Sequence, residues 1–240
     1  MENLSVDAHF RLIEDNYKVI CERIALAAQQ SGRQASDIRF MAVTKTVDPI
    51  FINHALSLGI DLIGENKVQE LQSKMDFLKP ATVEKHLIGH LQTNKAAKIV
   101  PLVSMIESID SVKIAEAVNR CAEKIGKTMD ILLEVNIGRE ESKTGFMPEE
   151  IEDSARQIAA MPHLHLCGLM TVPPICEDAQ ESRRFFSLAH QLFIDIRNKN
   201  IDNIDMNVLS MGMSHDYYEA ILEGATQIRV GSSLFGARHY

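Results

Sequence analysis

The sequence predicts a single (β/α)8 barrel, and three observations support this fold class. Short apolar segments typical of buried parallel strands alternate with helical patterns along the chain. Eight such strands fit into 240 residues, which is about the usual length of this barrel. An additional amphipathic pattern precedes the first strand and predicts an extra N-terminal helix. A doubly wound open sheet is the alternative architecture.

The extra helix is predicted over residues 5–30. Ile13, Tyr17, Ile20 and Ile24 fall on one helical stripe, while charged residues occupy the other faces. Ser31-Gly32 then provides a typical C-terminal stop. This segment should therefore pack one face against the barrel.

The repeating pattern that follows gives eight strands and eight further helices. The predicted strands are 38–45, 61–65, 84–89, 105–109, 129–137, 165–171, 205–210 and 226–231. The helical patterns between them are 48–58, 66–78, 93–100, 111–125, 148–160, 178–198 and 215–223, and a last short helix is expected near Ser233. The eighth strand ends close to residue 240, so one domain over residues 1–240 is expected.

Composition limits the classes of function. The net charge of -8 argues against a surface that binds nucleic-acid phosphates. The sequence contains no run of about 18 apolar residues, so no membrane span is expected. The polar N-terminus lacks the features of a secretion signal, so a cytoplasmic protein is expected. The four cysteines form no CxxC pair, so reduced thiols are expected. No long apolar surface stripe is left over, which favours a monomer.

Lys45 is the most informative residue for function. It ends the first predicted strand, at the edge where barrels of this class place their active sites. A lysine amine in such a place can have its pKa lowered and can form an imine with an aldehyde. The residue therefore predicts carbonyl chemistry or a covalently held aldehyde.

Two turns after the seventh and eighth strands are small and rich in hydroxyl groups. They are Ser210-Met211-Gly212-Met213-Ser214 and Gly231-Ser232-Ser233, and each precedes a predicted helix. Barrels often bind phosphate here with backbone N–H groups, to which Ser210 and Ser232 could add donors. The alternative is helix capping by Ser214 and Ser233. Two such turns on adjacent strands favour phosphate binding.

Arg229 shares a strand face with Gly231, because it lies two residues before it, and it should point into the barrel. A buried arginine needs a partner. That partner is either a ring nitrogen of a bound cofactor or a barrel carboxylate such as Glu65 or Glu134.

An imine lysine together with a phosphate site suggests pyridoxal phosphate (PLP). A barrel aldolase that forms a lysine imine with a sugar phosphate fits the same residues. Spacing alone does not separate these two possibilities.

Five motifs over nearly the whole chain resemble the pyridoxal phosphate homeostasis protein family. They are Met41-Ala42-Val43-Thr44-Lys45-Thr46, Gly64-Glu65-Asn66-Lys67-Val68-Gln69-Glu70, the segment 86–95 (HLIGHLQTNK), Leu209-Ser210-Met211-Gly212-Met213-Ser214 and the segment 228–238 (IRVGSSLFGAR). Two departures concern Lys67, where the family often has tyrosine, and Val47-Asp48, where it often has Lys-Pro.

The resemblance implies a fold and a set of cofactor contacts. The family is similar to the N-terminal barrel of alanine racemase, the fold type III class of PLP proteins. By resemblance, Lys45 carries the Schiff base and Arg229 faces the pyridine nitrogen. The other implied cofactor contacts are the phosphate ligands Ser210, Gly231 and Ser232, the ring neighbour Asn66 and the packing residue Met211.

The resemblance also implies a role in intracellular PLP homeostasis with little or no turnover. Racemases need a base on each face of the substrate, and the second base is a tyrosine from the partner subunit's C-terminal domain. None of the tyrosines here is a convincing second base; they are Tyr17, Tyr217, Tyr218 and Tyr240. No residue is therefore assigned a catalytic role. PLP-dependent apoenzymes are the expected recipients of the bound PLP. The alternative function is that of a fold type III amino-acid racemase.

Other polar groups receive weaker interpretations. His163 and His165 alternate across a strand start, and no nearby cysteine or aspartate is expected to complete a ligand set, so no metal site is expected. His90 is expected either to contact ligand or to cap a helix. The loop 138–145 is interpreted as solvated, with a lid that uses Lys143 as the alternative.

Overall fold

Eight parallel strands close into a barrel in chain order, with β1 hydrogen-bonded to β8. The computed structural model describes residues 5–236. The strands are β1 Arg39–Val43, β2 Leu62–Glu65, β3 Glu84–Leu87, β4 Met105–Ile109, β5 Met129–Val135, β6 Leu164–Thr171, β7 Ile204–Ser210 and β8 Gln227–Val230. The closed barrel is confirmed, and the open sheet is wrong.

Helices surround the barrel and connect successive strands. They are α1 Val6–Gln30, α2 Pro49–Ser57, α3 Val68–Lys74, α4 Ala96–Ile99, α5 Val112–Lys124, α6 Ile151–Ala159, α7 Ala179–Asn198, α8 Tyr217–Leu222 and α9 Ser232–Phe235. The extra N-terminal helix is confirmed: Ser5 caps α1, which packs against α8, α9 and α2. None of the helices within residues 5–236 combines the length and apolar character needed to cross a membrane.

The apolar core has two parts because barrel strands alternate between two faces. The larger part lies between the strands and the surrounding helices. The smaller part fills the barrel interior, where Met105, Leu132, Cys167 and Met170 pack together. Buried polar residues, among them Glu107, Ser210 and Arg229, share the interior with these side chains.

A shift in register between β5, β6 and β7 shapes one side of the barrel. Pairing of β6 with both neighbours slips near Gly168. Gly168 has φ of 154°, and a Cβ there would lie 1.8 Å from the carbonyl oxygen of Val208. Only glycine permits this close approach of two strands.

Differences from the predicted elements occur at their ends. The predicted helix 93–100 is a 3-10 turn followed by the four residues of α4, and the predicted helix 66–78 ends in a 3-10 turn. Such end effects are common because hydrogen-bonding patterns change gradually at helix ends. The assignment of residues 1–240 to one domain stays a prediction.

Candidate functional site

A cavity of about 280 Å³ opens at the C-terminal ends of the strands. Its lining comes from β1, β8 and the segments that follow β1, β2, β3, β6, β7 and β8. The lining residues are Val43, Lys45, Asn66, Ile88, Val172, Met213, Ser214, His215, Arg229, Gly231 and Ser232. Five of the seven residues predicted for the cofactor site, namely Lys45, Asn66, Arg229, Gly231 and Ser232, therefore meet in one cavity.

Lys45 is half-buried, and both of its neighbours in the chain are held by hydrogen bonds. Before it, the Thr44 hydroxyl donates to Glu65 at 2.8 Å, and the Thr44 carbonyl accepts from Lys74 at 2.8 Å. After it, the Thr46 N–H donates to Glu70. Thr46 has φ of 62°, a left-handed conformation that is uncommon for a β-branched residue. These bonds fix the backbone that carries the Lys45 side chain.

The support below Lys45 centres on a second, buried lysine. Lys74 Nζ contacts Glu65 and Glu70, each at 2.7 Å. Burial raises the pKa of Glu65, although Lys74 and Thr44 partly offset the effect. The Glu65 side chain is thus directed from β2 towards Lys74 of α3 and does not pair with Arg229.

Asn66 is held at the cavity wall by a close backbone contact. A Cβ on Gly89 would lie 2.3 Å from the Asn66 carbonyl oxygen, so residue 89 must be glycine for this contact to form. The side-chain oxygen Oδ1 of Asn66 is buried and accepts no hydrogen bond from any residue in the range 5–236. A buried acceptor of this kind is unfavourable unless a ligand satisfies it.

The turns after β7 and β8 are joined by Ser214. Its hydroxyl oxygen accepts hydrogen bonds from the N–H groups of Gly231 at 3.1 Å and Ser233 at 3.2 Å. The Ser233 hydroxyl donates to the Ser214 carbonyl at 3.0 Å. Gly212 makes the first turn possible with φ of 89°, since a Cβ there would lie 2.5 Å from that of Ala220. Ser214 therefore satisfies two backbone N–H groups at the start of α9, and the same turns also line the cavity.

Arg229 is buried beneath the cavity. Its two terminal nitrogens donate to Ser210 Oγ at 2.7 Å and to the Thr171 carbonyl at 2.8 Å. Burial lowers its pKa, while the charges of Glu107, Asp216 and Glu134 act in the opposite direction. Within residues 5–236, Arg229 forms no direct ion pair with Glu65 or Glu134, and two of its N–H groups donate instead to Ser210 and to the Thr171 carbonyl.

Two predicted contacts do not line the cavity. The Ser210 hydroxyl is fully buried and donates to Glu107 at 2.6 Å, so this side chain is directed into the barrel and away from the proposed phosphate position. Met211 is fully buried in the core between the strands and the helices. The strand alternation explains both positions: Ser210 points inward below the cavity, and the next residue points outward.

A continuous polar network runs from Arg229 down the barrel axis. Glu107 accepts hydrogen bonds from Ser210, from Gln227 at 2.7 Å and from His86 at 2.6 Å. Burial opposes ionisation of Glu107, but His86, Arg229 and Ser210 outweigh it and lower its pKa. Burial likewise disfavours the charged form of His86, yet the carboxylates of Glu107 and Glu84 raise its pKa. Each of these two pKa shifts favours the charged form of its group.

Sequence reasoning missed four lining residues, namely Val43, Ile88, Val172 and His215. His215 directly follows the recognised motif that ends at Ser214, so its position was the available signal. His90 contacts Asp110 at 2.8 Å, which differs from both roles expected for it. Lys143 pairs with Glu140 at 2.9 Å and does not line the cavity.

The chain is similar in sequence to known proteins over most of its length. The profile of the family "Alanine racemase, N-terminal domain" matches residues 18–239. A pyridoxal phosphate homeostasis protein of Aquifex aeolicus is 37% identical over 221 residues, which cover 92% of this chain and 96% of that protein. The protein of the same name from Escherichia coli K12 is 33% identical and covers 95% and 97%.

Solved structures give the same picture. An unknown protein from Bifidobacterium adolescentis superposes with a TM-score of 0.91 at 37% identity, covering 97% of this chain and 98% of that one. PipY of Synechococcus elongatus PCC7942 with PLP bound superposes with a TM-score of 0.78 at 32% identity, covering 90% and 100%.

An alanine racemase of Clostridium difficile shares the fold at 13% identity, with a TM-score of 0.73, 94% of this chain and 58% of that one. The relatives above 30% identity match over nearly their full length, whereas the racemase matches over little more than half. The chain therefore belongs to the pyridoxal phosphate homeostasis protein family, within the alanine racemase N-terminal domain fold.

Proposed function

We propose that this chain binds pyridoxal 5'-phosphate as a Schiff base on Lys45 and acts in intracellular PLP homeostasis with little or no catalytic turnover. One observation carries the proposal: Lys45, Arg229 and the glycine-serine turn after β8 line the same cavity. The family relationship and the PLP-bound PipY structure support the identity of the ligand.

The residues present fit this cofactor. Lys45 would hold the aldehyde carbon, Gly231 and Ser232 the phosphate, and Arg229 the pyridine nitrogen. The buried, unsatisfied Oδ1 of Asn66 offers an acceptor for a polar group of the ring. The cavity of about 280 Å³ lies just below the roughly 300–1,000 Å³ typical of small-molecule sites, as suits a compact ligand.

Arg229 would limit the electron withdrawal that the bound cofactor can supply. When bound, PLP supplies an electron sink for carbanion chemistry. A guanidinium is always charged near neutral pH, so a ring nitrogen facing it stays unprotonated and withdraws electrons less strongly. Hydrogen bonds to Ser210 and Thr171 hold the guanidinium in place.

The positions of the tyrosines also support low turnover. Arg23 lies over the rings of Tyr217 and Tyr218, and the Tyr218 hydroxyl donates to Gln30. Tyr17 stacks on Phe40 near the opposite end of the barrel. Within the part of the chain that the structure describes, no tyrosine lines the cavity. Tyr240 lies outside the described residues.

Cellular context is part of the same proposal. The four cysteines are free thiols, which suits a reducing cytoplasm. PLP-dependent apoenzymes would be the recipients of the bound cofactor, and the protein would act as a monomer.

The decisive experiment combines absorbance with chemical trapping. Purified protein mixed with PLP should gain the visible absorbance of a Schiff base, and borohydride followed by peptide mapping should place the modification on Lys45. Lys45→Ala should lose both signals. Lys67→Ala is the matched control, because Lys67 is exposed and does not line the cavity, and it should retain them. Trapping on another lysine in the unaltered protein would contradict the assignment.

Turnover is tested separately with L-alanine and a sensitive chiral assay. We expect no steady formation of D-alanine by the PLP-loaded protein. Steady racemisation that disappears in Lys45→Ala would instead support the racemase alternative, while leaving PLP binding intact.

A further inference from the structure

A cluster of potential metal ligands lies at the N-terminal end of the barrel, opposite the Lys45 cavity. Asp130, His165 and Asp205 are the second residues of β5, β6 and β7, and Asp130 pairs with His165 in the strand register. Cys167 lies two residues beyond His165 on the same strand face. The sequence-based expectation was that no nearby residue completes a ligand set, but the fold brings Asp130 and Asp205 from neighbouring strands to His165 and Cys167.

The donor atoms lie close enough to share one ion. His165 Nδ1 is 2.9 Å from Asp130 Oδ1 and 3.3 Å from Cys167 Sγ. All three donor atoms lie within 4.8 Å of one another. Tetrahedral zinc with ordinary bond lengths separates its nitrogen, oxygen and sulfur ligands by about 3.3–3.6 Å. Small side-chain movements would therefore bring the three atoms into a coordination shell.

Asp205 favours the form of His165 that a metal requires. Its carboxylate lies 3.0 Å from His165 Nε2, on the side of the ring away from Asp130 and Cys167. Both ring nitrogens face carboxylates, so each carries a proton in these two hydrogen bonds. A metal ion would take the place of the Nδ1 proton, while the Nε2 proton stays bonded to Asp205. Carboxylate–histidine–zinc arrangements orient the ring in the same way.

We propose that Asp130, His165 and Cys167 form a binding site for a divalent transition-metal ion such as Zn²⁺, with Asp205 orienting the histidine. A thiolate, an imidazole and one carboxylate suit zinc, whereas Mg²⁺ and Ca²⁺ prefer sets made only of oxygen. Three protein ligands leave one position for water.

The proposed site is open to solvent at the barrel end and is closed to water on the side of the barrel interior. Cys167 is buried against Met105, Leu132 and Met170 in the barrel interior. The His165 and Asp130 side chains retain 32% and 46% of their exposure at the barrel end. An ion could therefore enter from solvent and rest on a buried sulfur.

The test uses the full-length protein, without an affinity tag, and Co²⁺ as a spectroscopic probe for Zn²⁺. Adding Co²⁺ should produce a near-ultraviolet sulfur-to-cobalt charge-transfer band that saturates at one equivalent and disappears when Zn²⁺ displaces it. Zn²⁺ should also raise the Tm, because an ion that binds only the folded state stabilises it.

Three variants separate the proposed roles. Cys167→Ser should lose the charge-transfer band, whereas the control Cys176→Ser should keep it. Asp205→Asn should keep the band but weaken Co²⁺ affinity about 10- to 100-fold, as expected for a group that orients a ligand. Circular dichroism checks that each variant is folded.

Three results would overturn the site. The first is saturation with Co²⁺ and no sulfur band in the folded wild-type protein, and the second is an unchanged band in folded Cys167→Ser. The third is a complete absence of Co²⁺ and Zn²⁺ binding. None of these readouts depends on PLP, so the metal site and the proposed function can fail independently.

Discussion

At the scale of single residues, Gly89 shows how a missing side chain shapes the cavity. The Asn66 backbone packs against residue 89 so closely that a Cβ would lie 2.3 Å from the Asn66 carbonyl oxygen. Because the obstacle is backbone, Asn66 must move if residue 89 gains a side chain. The position of the unsatisfied Asn66 Oδ1 therefore depends on this glycine.

Gly89→Ala should destabilise the protein and weaken PLP binding. Overpacking of this kind typically lowers the free energy of unfolding by about 1–3 kcal/mol. Gly126→Ala is the control: Gly126 has φ of 64°, but no atom of residues 5–236 lies within 4 Å of the place where its Cβ would stand. Only backbone strain of about 1–2 kcal/mol is therefore expected in the control. Urea unfolding and PLP titration measure both effects, and equal PLP affinity in the two variants would contradict the role of Gly89.

Lys74 stabilises the support below Lys45, because its positive charge compensates the buried carboxylate of Glu65. Removing one partner of a buried ion pair leaves the other charge uncompensated, at about 3–5 kcal/mol. Lys74→Met should therefore lower the free energy of unfolding by an amount in this range. Adding Glu65→Gln should recover part of the loss, and a double-mutant cycle in urea measures the coupling. Additive losses would show that the two side chains act independently.

The sequence predicts the position of a residue at the cavity where its place on a strand alone decides that position. Lys45 and Arg229 follow from their places at strand ends in a barrel, and the structure puts both at the cavity. The hydroxyl of Ser210 could not be placed in this way, because its direction depends on Glu107, which is 103 positions away in the sequence. The His165 cluster was missed for the same reason, since Asp130 lies on another strand.

At the scale of elements, Ser214 links two turns that the strand pattern treats as separate. One hydroxyl accepts two backbone N–H groups from the turn after β8, and the Ser214 carbonyl accepts the hydroxyl of Ser233. The turns after β7 and β8 therefore behave as one unit in the cavity wall.

Ser214→Ala should loosen that unit. Losing the acceptor for two N–H groups is expected to lower the free energy of unfolding by about 1–3 kcal/mol. PLP affinity should fall as well, because Gly231 would no longer be held. Ser233→Ala removes only its hydroxyl bond and should have a smaller effect on both quantities. A larger loss in Ser233→Ala, measured by urea unfolding and PLP titration, would contradict this view of the turn.

The elements themselves were predictable because each carries its own local signal. Apolar strands, capping residues such as Ser111 and Asp178, and glycine stops define the βα repeat without tertiary information. The bulge at Gly168 was not predictable, since it arises from the close approach of Val208 on β7. The register shift between β5, β6 and β7 arises only when these strands pair in the barrel, so no local pattern in the sequence predicts it.

At the scale of the whole molecule, the polar network connects the two ends of the barrel. Arg229 near the cavity bonds to Ser210, Ser210 bonds to Glu107, and Glu107 bonds to His86. His86 then contacts Glu84 at 2.8 Å, and Glu84 pairs with Arg39 at the N-terminal end. Buried networks of this kind fix side-chain positions when every member is satisfied.

This network makes stability depend on pH in a defined direction. The pKa of His86 is raised in the folded protein, so its contribution is complete below the unfolded value of about 6.5 and is lost as pH rises through the folded value. The pKa values of Glu84 and Glu107 are lowered, so their contribution is present above about 4.5 and is lost as pH falls through the folded values. The network therefore contributes most between these limits.

The double variant His86→Gln/Glu107→Gln tests the alkaline side of this window. In the wild type, the unfolded chain releases the His86 proton above pH about 6.5 while the folded protein retains it, so the free energy of unfolding falls by up to about 1.4 kcal/mol per pH unit from this group. The double variant lacks that group and should show a shallower fall above about pH 6.5 in urea unfolding. High salt should leave the difference in slope nearly unchanged, because buried charges are screened much less than exposed ones. Equal slopes in the two proteins would mean that His86 has no elevated pKa and that the centre of the network is neutral.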